Sequence, residues 1–267
     1  MSATSAVPLY REVAGNGPPV VFVHSGICDS RMWDPQWEPF QQDHRVARFD
    51  LRGFGRTPLS TGRYTPPADV IDLLDELALG PATLVGASMG GGVSLQVAVA
   101  RPDLVSALVL VGSGVRGHEW SEYVTQGWKE EEAAFERGDI DAAVEVNLRT
   151  WVVGPNRSRD DVDPELLAKV AEMQRRSFEL FAVDPDAEEE ALVRDVGERL
   201  GEIGVPTLVV FGEEDVPDVK VVAERFERTL PDVRVAPIAN AAHLPSLERP
   251  HEFNDLVLRF LAETEAA

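Results

Sequence analysis

The sequence predicts an α/β fold, with a mostly parallel central sheet flanked by helices and interrupted once by a helical block. Three observations predict it. Short apolar runs that read as buried strands alternate with segments of helical period. The run Leu104 to Val111 is too apolar for a strand with one exposed face, and reads as a central strand covered on both sides. From about Glu119 to Leu200 no strand of comparable apolarity occurs, and the strand pattern resumes at Val205 to Phe211.

Taken in order, Pro8 to Val13 and Pro19 to Val23 read as strands around the turn Gly15-Asn16-Gly17. Trp33 to Gln42 reads as a helix, and Arg45 to Phe49 as a strand ending at Asp50-Leu51-Arg52-Gly53-Phe54-Gly55. Ala68 to Ala78 carries Val70, Leu73, Leu74 and Leu77 at helical spacing. Thr83 to Val85 is a strand, and Met89 to Ala100 is a helix of small and apolar residues. In the charged block, Ile140, Val144, Leu148 and Trp151 share one helix face, and Leu166, Val170, Met173, Ser177 and Phe181 share another. After the strand at Val205 come the helix Lys220 to Leu230, the strand Val233 to Ile238 and the helix Glu252 to Leu261. These elements divide the chain into a core, 1–114 with 201–267, and an inserted helical cap, 115–200. A block inserted after a strand's carboxyl end sits where ligands bind in such sheets.

Composition narrows the function classes. With 267 residues the chain can bury a sizeable core. Its formal net charge of −21, from 46 acidic and 25 basic residues, repels phosphate backbones and anionic lipid, so neither nucleic acid nor membrane is an expected partner. Cys28 is the only cysteine, so neither an intramolecular disulfide nor a Cys/His metal cluster is expected. The stretch Met1 to Pro8 has no basic or apolar leader pattern, and the expected location is cytoplasmic.

The chemistry is carried by Gly86-Ala87-Ser88-Met89-Gly90, a G-x-S-x-G pattern between the strand at Thr83 and the helix from Met89. A serine on a sharp strand-to-helix turn has its hydroxyl pushed out of the sheet, and only very small neighbours leave room for the turn. Such a hydroxyl needs a base, and the base needs an orienting acid. Of the five histidines, His243 is the candidate base because it lies in the loop after the last strand. His24 also ends a strand, His44 reads as solvated, His118 lies at the cap boundary and His251 in a charged helix start. The acid should also follow a strand. Gly212 permits a sharp exit from Val209-Val210-Phe211, Glu213 and Glu214 read as solvated, and Asp215 can point back at the histidine, with Asp218 as the fallback. Ser88, Asp215 and His243 then occur in the order serine, acid, histidine.

Several segments together resemble the α/β-hydrolase superfamily over nearly the whole chain. His24-Ser25-Gly26 resembles its His-Gly-x oxyanion segment, with Trp33 at the usual distance. Asp50 to Gly55 resembles its D-x-R-G-x-G block, and Ser88-Met89-Gly90-Gly91 is similar to the elbow of enol-lactonases, carboxylesterases and C–C bond hydrolases. His243 with Glu248, Pro250 and Phe253 resembles its histidine loop and last helix. The chain departs from the pattern at Ser25, where the family has glycine.

The resemblance implies an α/β-hydrolase fold with a helical cap, and an oxyanion hole formed by the N–H groups of Gly26 and Met89, with Ile27 as the alternative to Gly26. Such donors typically contribute about 3 kcal/mol each in the transition state. Asp50 and Arg52 read as loop-pinning residues. Ile27, Trp128, Trp151 and Leu244 are the candidate substrate contacts, with Met173, Phe178 and Phe181 as further apolar cap residues that could line a pocket or form the cap's own core. The expected activity is hydrolysis of a small apolar or aromatic ester or lactone through an acyl-enzyme, with no cofactor and no metal. The expected partner is a small-molecule substrate, and the expected state is a monomer or homodimer. A C–C bond hydrolase for a diketone or dienone, a perhydrolase, and a non-catalytic ligand receptor are the alternatives on the same residues.

Overall fold

The computed structural model describes residues 8–59, 61–184 and 186–266. The leader reading over 1–7 lies outside them. Among the described residues the strands are β1 (Arg11–Ala14), β2 (Pro19–Val23), β3 (Arg45–Phe49), β4 (Arg63–Tyr64), β5 (Ala82–Ala87), β6 (Val105–Val111), β7 (Glu188–Glu189), β8 (Thr207–Gly212) and β9 (Val233–Ile238). The main sheet runs in the order β1-β3-β2-β5-β6-β8-β9. The β1–β3 pair is antiparallel and the other pairs are parallel. This is the α/β-hydrolase fold. Its centre is dry for a legible reason: all six residues of β5 and all six of β8 are buried, and β6 exposes only Ser106.

The α-helices are α1 (Asp34–Phe40), α2 (Pro66–Leu77), α3 (Met89–Ala100), α4 (Glu122–Glu136), α5 (Ile140–Asn147), α6 (Pro164–Val183), α7 (Pro217–Thr229), α8 (Pro245–Glu248) and α9 (Pro250–Glu265). Helices α2, α7 and α9 start two or three residues before the expected boundaries, each at a proline. Proline suits a first helical position because its missing N–H has no intrahelical partner there. The expected helix from Trp33 is shorter and begins as a 3-10 turn, Ser30–Trp33, capped by the Asp29 carboxylate on the Arg31 N–H. Small residues of α3 let it lie close against β5, and Ser94 returns its hydroxyl to the Gly90 carbonyl.

Between β6 and β8 stand α4, α5 and α6, packed on one another. Two features of this block were not expected. Residues Leu148–Val153 continue α5 as a π-helix. β7 adds a parallel two-residue ladder to β4, flanked by ion pairs of Arg63 with Glu188 at 3.3 Å and Glu190 at 3.1 Å. No helix among the described residues is long and apolar enough to cross a membrane.

Candidate active site

β5 delivers Ser88 into a conformation that non-glycine residues rarely take, with φ 52° and ψ −113°. Its N–H donates to the Val111 carbonyl at 2.8 Å, and its carbonyl accepts from Gly91 and Gly92, so strand and helix together impose the turn. A Cβ on Gly86 would collide with the Gly90 carbonyl, and one on Gly90 with the Val23 carbonyl. The two glycines of the G-x-S-x-G pattern are therefore required by close backbone approach.

The acid loop leaves β8 at Gly212, where any Cβ would strike the carbonyls of Ala241 and Ala242 in the histidine loop. That proximity brings the two loops into register. His243 Nδ1 donates to Asp215 Oδ2 at 2.8 Å, and the other Asp215 oxygen accepts from the Val216 N–H at 2.7 Å. With Nδ1 carrying the proton, Nε2 is left to accept from the Ser88 hydroxyl, also at 2.8 Å. His243 and Asp215 are 2% and 5% exposed, so water does not compete for these bonds. The structure thus brings Ser88, His243 and Asp215 into one hydrogen-bonded line.

The other candidates take structural places. Asp218 accepts from the Ser121 N–H and hydroxyl, both at 2.6 Å, and lies 3.3 Å from His118 Nε2. Burial works against its ionisation, but those donors outweigh it and hold the carboxyl below the usual range. His24 is fully buried and fixed by the Leu51 N–H and the Ser25 carbonyl; burial pushes its pKa down, keeping it neutral. His44 is not solvated as expected. It is buried, with Nδ1 on the Phe40 carbonyl and Nε2 at 3.2 Å from Glu265. Asp50 accepts from the Ser30 and Arg56 N–H groups at 2.8 Å each, and Arg52 pairs with Asp69 at 2.7 Å.

Gly26 and Met89 meet beside Ser88. A Cβ on Gly26 would lie 3.5 Å from Met89 Sδ. The Met89 N–H belongs to the first turn of α3, where the helix offers it no acceptor. The Ile27 N–H donates to Ser25 Oγ at 3.3 Å, whereas the Gly26 N–H has no partner among the described residues. Ser25, the departure from the family pattern, therefore occupies the alternative donor.

These groups open onto a cavity of about 580 Å³, walled by Ser88, Ile27, Trp120, Trp128, Trp151 and His243 among others. Trp151 packs against the His243 ring with centroids 4.5 Å apart and planes tilted by 40°, and its carbonyl accepts from the His243 N–H at 3.4 Å. Trp128 keeps an exposed edge and packs against Trp120 at 5.4 Å. Leu244 corrects the expectation. It is fully buried in the core and not on the cavity wall, because the chain turns into α8 directly after His243. Of the further cap candidates, Phe178 and Phe181 line an adjoining lobe, and Met173 is in the core.

Sequence reasoning missed Trp120 and Arg157, and met Glu248 only as part of the histidine-loop resemblance. Arg157 donates to the Val152 and Val153 carbonyls at the end of the π-helix, and to Glu248 at 2.7 Å. Glu248 in turn accepts from the Ala242 N–H at 2.8 Å, next to His243. Burial raises the Glu248 pKa, and Arg157 opposes that rise.

A serine, a histidine and an acid on loops at the carboxyl ends of a parallel sheet define a class of protein, and comparison with known proteins agrees. The model of the Alpha/beta hydrolase family matches residues 20–256, and the chain belongs to that family as a hydrolase enzyme. The chain is 28% identical to a pimeloyl-[acyl-carrier protein] methyl ester esterase of Nitrosospira multiformis, over 95% of this chain and 98% of that one. Its structure superposes on a thermophilic esterase from Thermogutta terrifontis with a TM-score of 0.78 at 26% identity, covering 98% and 97% of the two chains. It also superposes on Est816, described as an N-acyl homoserine lactone degrading enzyme, with a TM-score of 0.75 at 30% identity over 96% and 98%.

Proposed function

We propose that this chain is a serine hydrolase that cleaves small apolar or aromatic esters or lactones through an acyl-enzyme. The observation that carries this reading is the line Asp215–His243–Ser88, with both hydrogen bonds at 2.8 Å. Likeness to an esterase and to a lactone-degrading enzyme supports the bond type. In the proposed reaction His243 takes the proton as Ser88 Oγ attacks the carbonyl carbon. The carbonyl oxygen becomes negative between the N–H groups of Gly26 and Met89, and the positive end of α3 adds to their field. His243 then gives its proton to the departing alcohol. It next deprotonates a water, which attacks the acyl-serine, and returns that proton to Ser88 Oγ as the acyl–oxygen bond breaks and the acid is freed. Trp120, Trp128 and Trp151 give the cavity apolar aromatic surface suited to a small apolar arm. The block 115–200 acts as the cap that supplies this wall.

The test pairs a fluorophosphonate label with a p-nitrophenyl ester panel. Wild type is expected to take one label on Ser88 and to turn over short esters. Ser88→Ala is expected to take none and to lose at least ~10³-fold in kcat while keeping its melting temperature. Near wild-type turnover by the Ala variant would remove Ser88 from the mechanism.

A further inference from the structure

The cavity beside Ser88 adjoins a second lobe of about 490 Å³, and the two share Gly26, Met89, Trp128 and Glu131. Two helix faces build this lobe. Trp128, Glu131, Glu132 and Phe135 recur at helical spacing along α4, and Gln174, Ser177, Phe178 and Phe181 along α6. Phe54 and Glu189 complete the wall. Its composition is unusual in one respect: among the described residues that line it, the charged groups are Glu131, Glu132 and Glu189, with no lysine or arginine. Arg116, which lines the first lobe, lies near enough to Glu189 to attract it. Asn147 lies beside Glu131 and favours its ionised form, and Gln174, only 3% exposed, has a buried Oε1 without a partner among the described residues. Five phenylalanine and tryptophan rings with three carboxylates form a surface complementary to an organic cation. Ring faces attract positive charge, and the carboxylates add to that attraction, Glu131 from a half-buried position and Glu132 and Glu189 from the exposed rim. The same surface repels a carboxylate.

Resting on the proposed hydrolase reading and narrowing its substrate class, we propose that this lobe takes an ammonium group at the end of an otherwise apolar arm, and discriminates against a carboxylate at that end. Glu131 is the central residue because it faces both lobes. Burial raises its pKa against the pull of Asn147, so a bound cation relieves a charge that the empty site disfavours.

Two measurements test this. In the first, p-nitrophenyl esters with acyl arms of equal length end in trimethylammonium, tert-butyl or carboxylate. The ammonium ester is expected to exceed the isosteric tert-butyl ester at least ~10-fold in kcat/KM, with the carboxylate ester lowest. The ammonium-to-tert-butyl ratio is expected to fall several-fold in Glu131→Gln, which keeps the size of the side chain and removes its charge. Equal rates for the ammonium and tert-butyl esters, or a preference for the carboxylate, overturn the proposal. In the second, calorimetry on Ser88→Ala compares benzyltrimethylammonium with benzoate. The ammonium probe is expected to bind at least ~10-fold more tightly, with the difference reduced in the Ser88→Ala, Glu131→Gln double variant. Equal affinities, or a difference that the Gln change leaves intact, overturn it. The binding measurement needs no turnover. If no ester is cleaved while the ammonium probe binds through Glu131, the hydrolase reading fails and the cation site stands.

Discussion

At the scale of single residues, two aspartates three positions apart are separated by what they touch. Asp215 meets the His243 ring; Asp218, on the first turn of α7, meets Ser121 and His118. Asp215→Asn is therefore expected to lower kcat by about 10⁴-fold, because an amide favours the wrong imidazole tautomer. Asp218→Asn is expected to keep most of the activity and to lose thermal stability instead. Steady-state kinetics and melting curves on the two variants check this, and an inactive Asp218 variant beside an active Asp215 one would reverse the assignment. Asp218 also carries a pH signature. Its folded pKa lies below its unfolded value, so its stabilisation is present above the ordinary carboxylate range and is lost as pH falls through the depressed folded value. The melting-temperature gap between wild type and Asp218→Asn is expected to be widest near neutrality and to close in acid; a gap that widens in acid contradicts the account. The catalytic candidates were legible in the sequence because each follows a strand. Leu244 was misplaced because adjacency to His243 in sequence says nothing about which way the chain turns next.

At the scale of elements, the π-helix Leu148–Val153 and the histidine loop behave as one unit. Arg157 holds the carbonyls at the end of the first and Glu248 holds the Ala242 N–H of the second, and the two side chains are 11% and 6% exposed. Arg157→Met leaves the Glu248 carboxylate buried without its cation, which costs about 3 kcal/mol. The variant is expected to melt lower and to lose kcat more than it raises KM, because His243 and Trp151 lose their shared support. The stability deficit is expected to shrink in acid, where the unpaired Glu248 takes up a proton. Unchanged kcat with a lowered melting temperature would make the pair a structural brace with no part in positioning His243. No sequence pattern announced this pair, since its members lie 91 positions apart and charge pairing has no period. The main strands were legible for the opposite reason: their apolar runs follow from burial on two faces. The β4–β7 ladder was not, because Glu188 and Glu189 are exposed and carry no apolar signal.

At the scale of the whole molecule, a parallel sheet gathers the ends of β5, β8 and β9 at one edge, and the intervening helices enclose the space above them. Every part of the proposed chemistry depends on that gathering: the strained serine turn, the histidine loop pressed against Gly212 and the aromatic wall from the block between β6 and β8. The proposed reaction requires that Ser88 becomes covalently acylated during turnover. Rapid-quench mass spectrometry with a p-nitrophenyl ester tests it most directly. A burst of nitrophenol close to one per active site is expected. The protein is also expected to be heavier by one acyl group, with the added mass on the peptide containing Ser88 and absent in Ser88→Ala. Steady turnover by wild type with neither burst nor adduct under conditions that make deacylation slow, or an adduct on another residue, would contradict it.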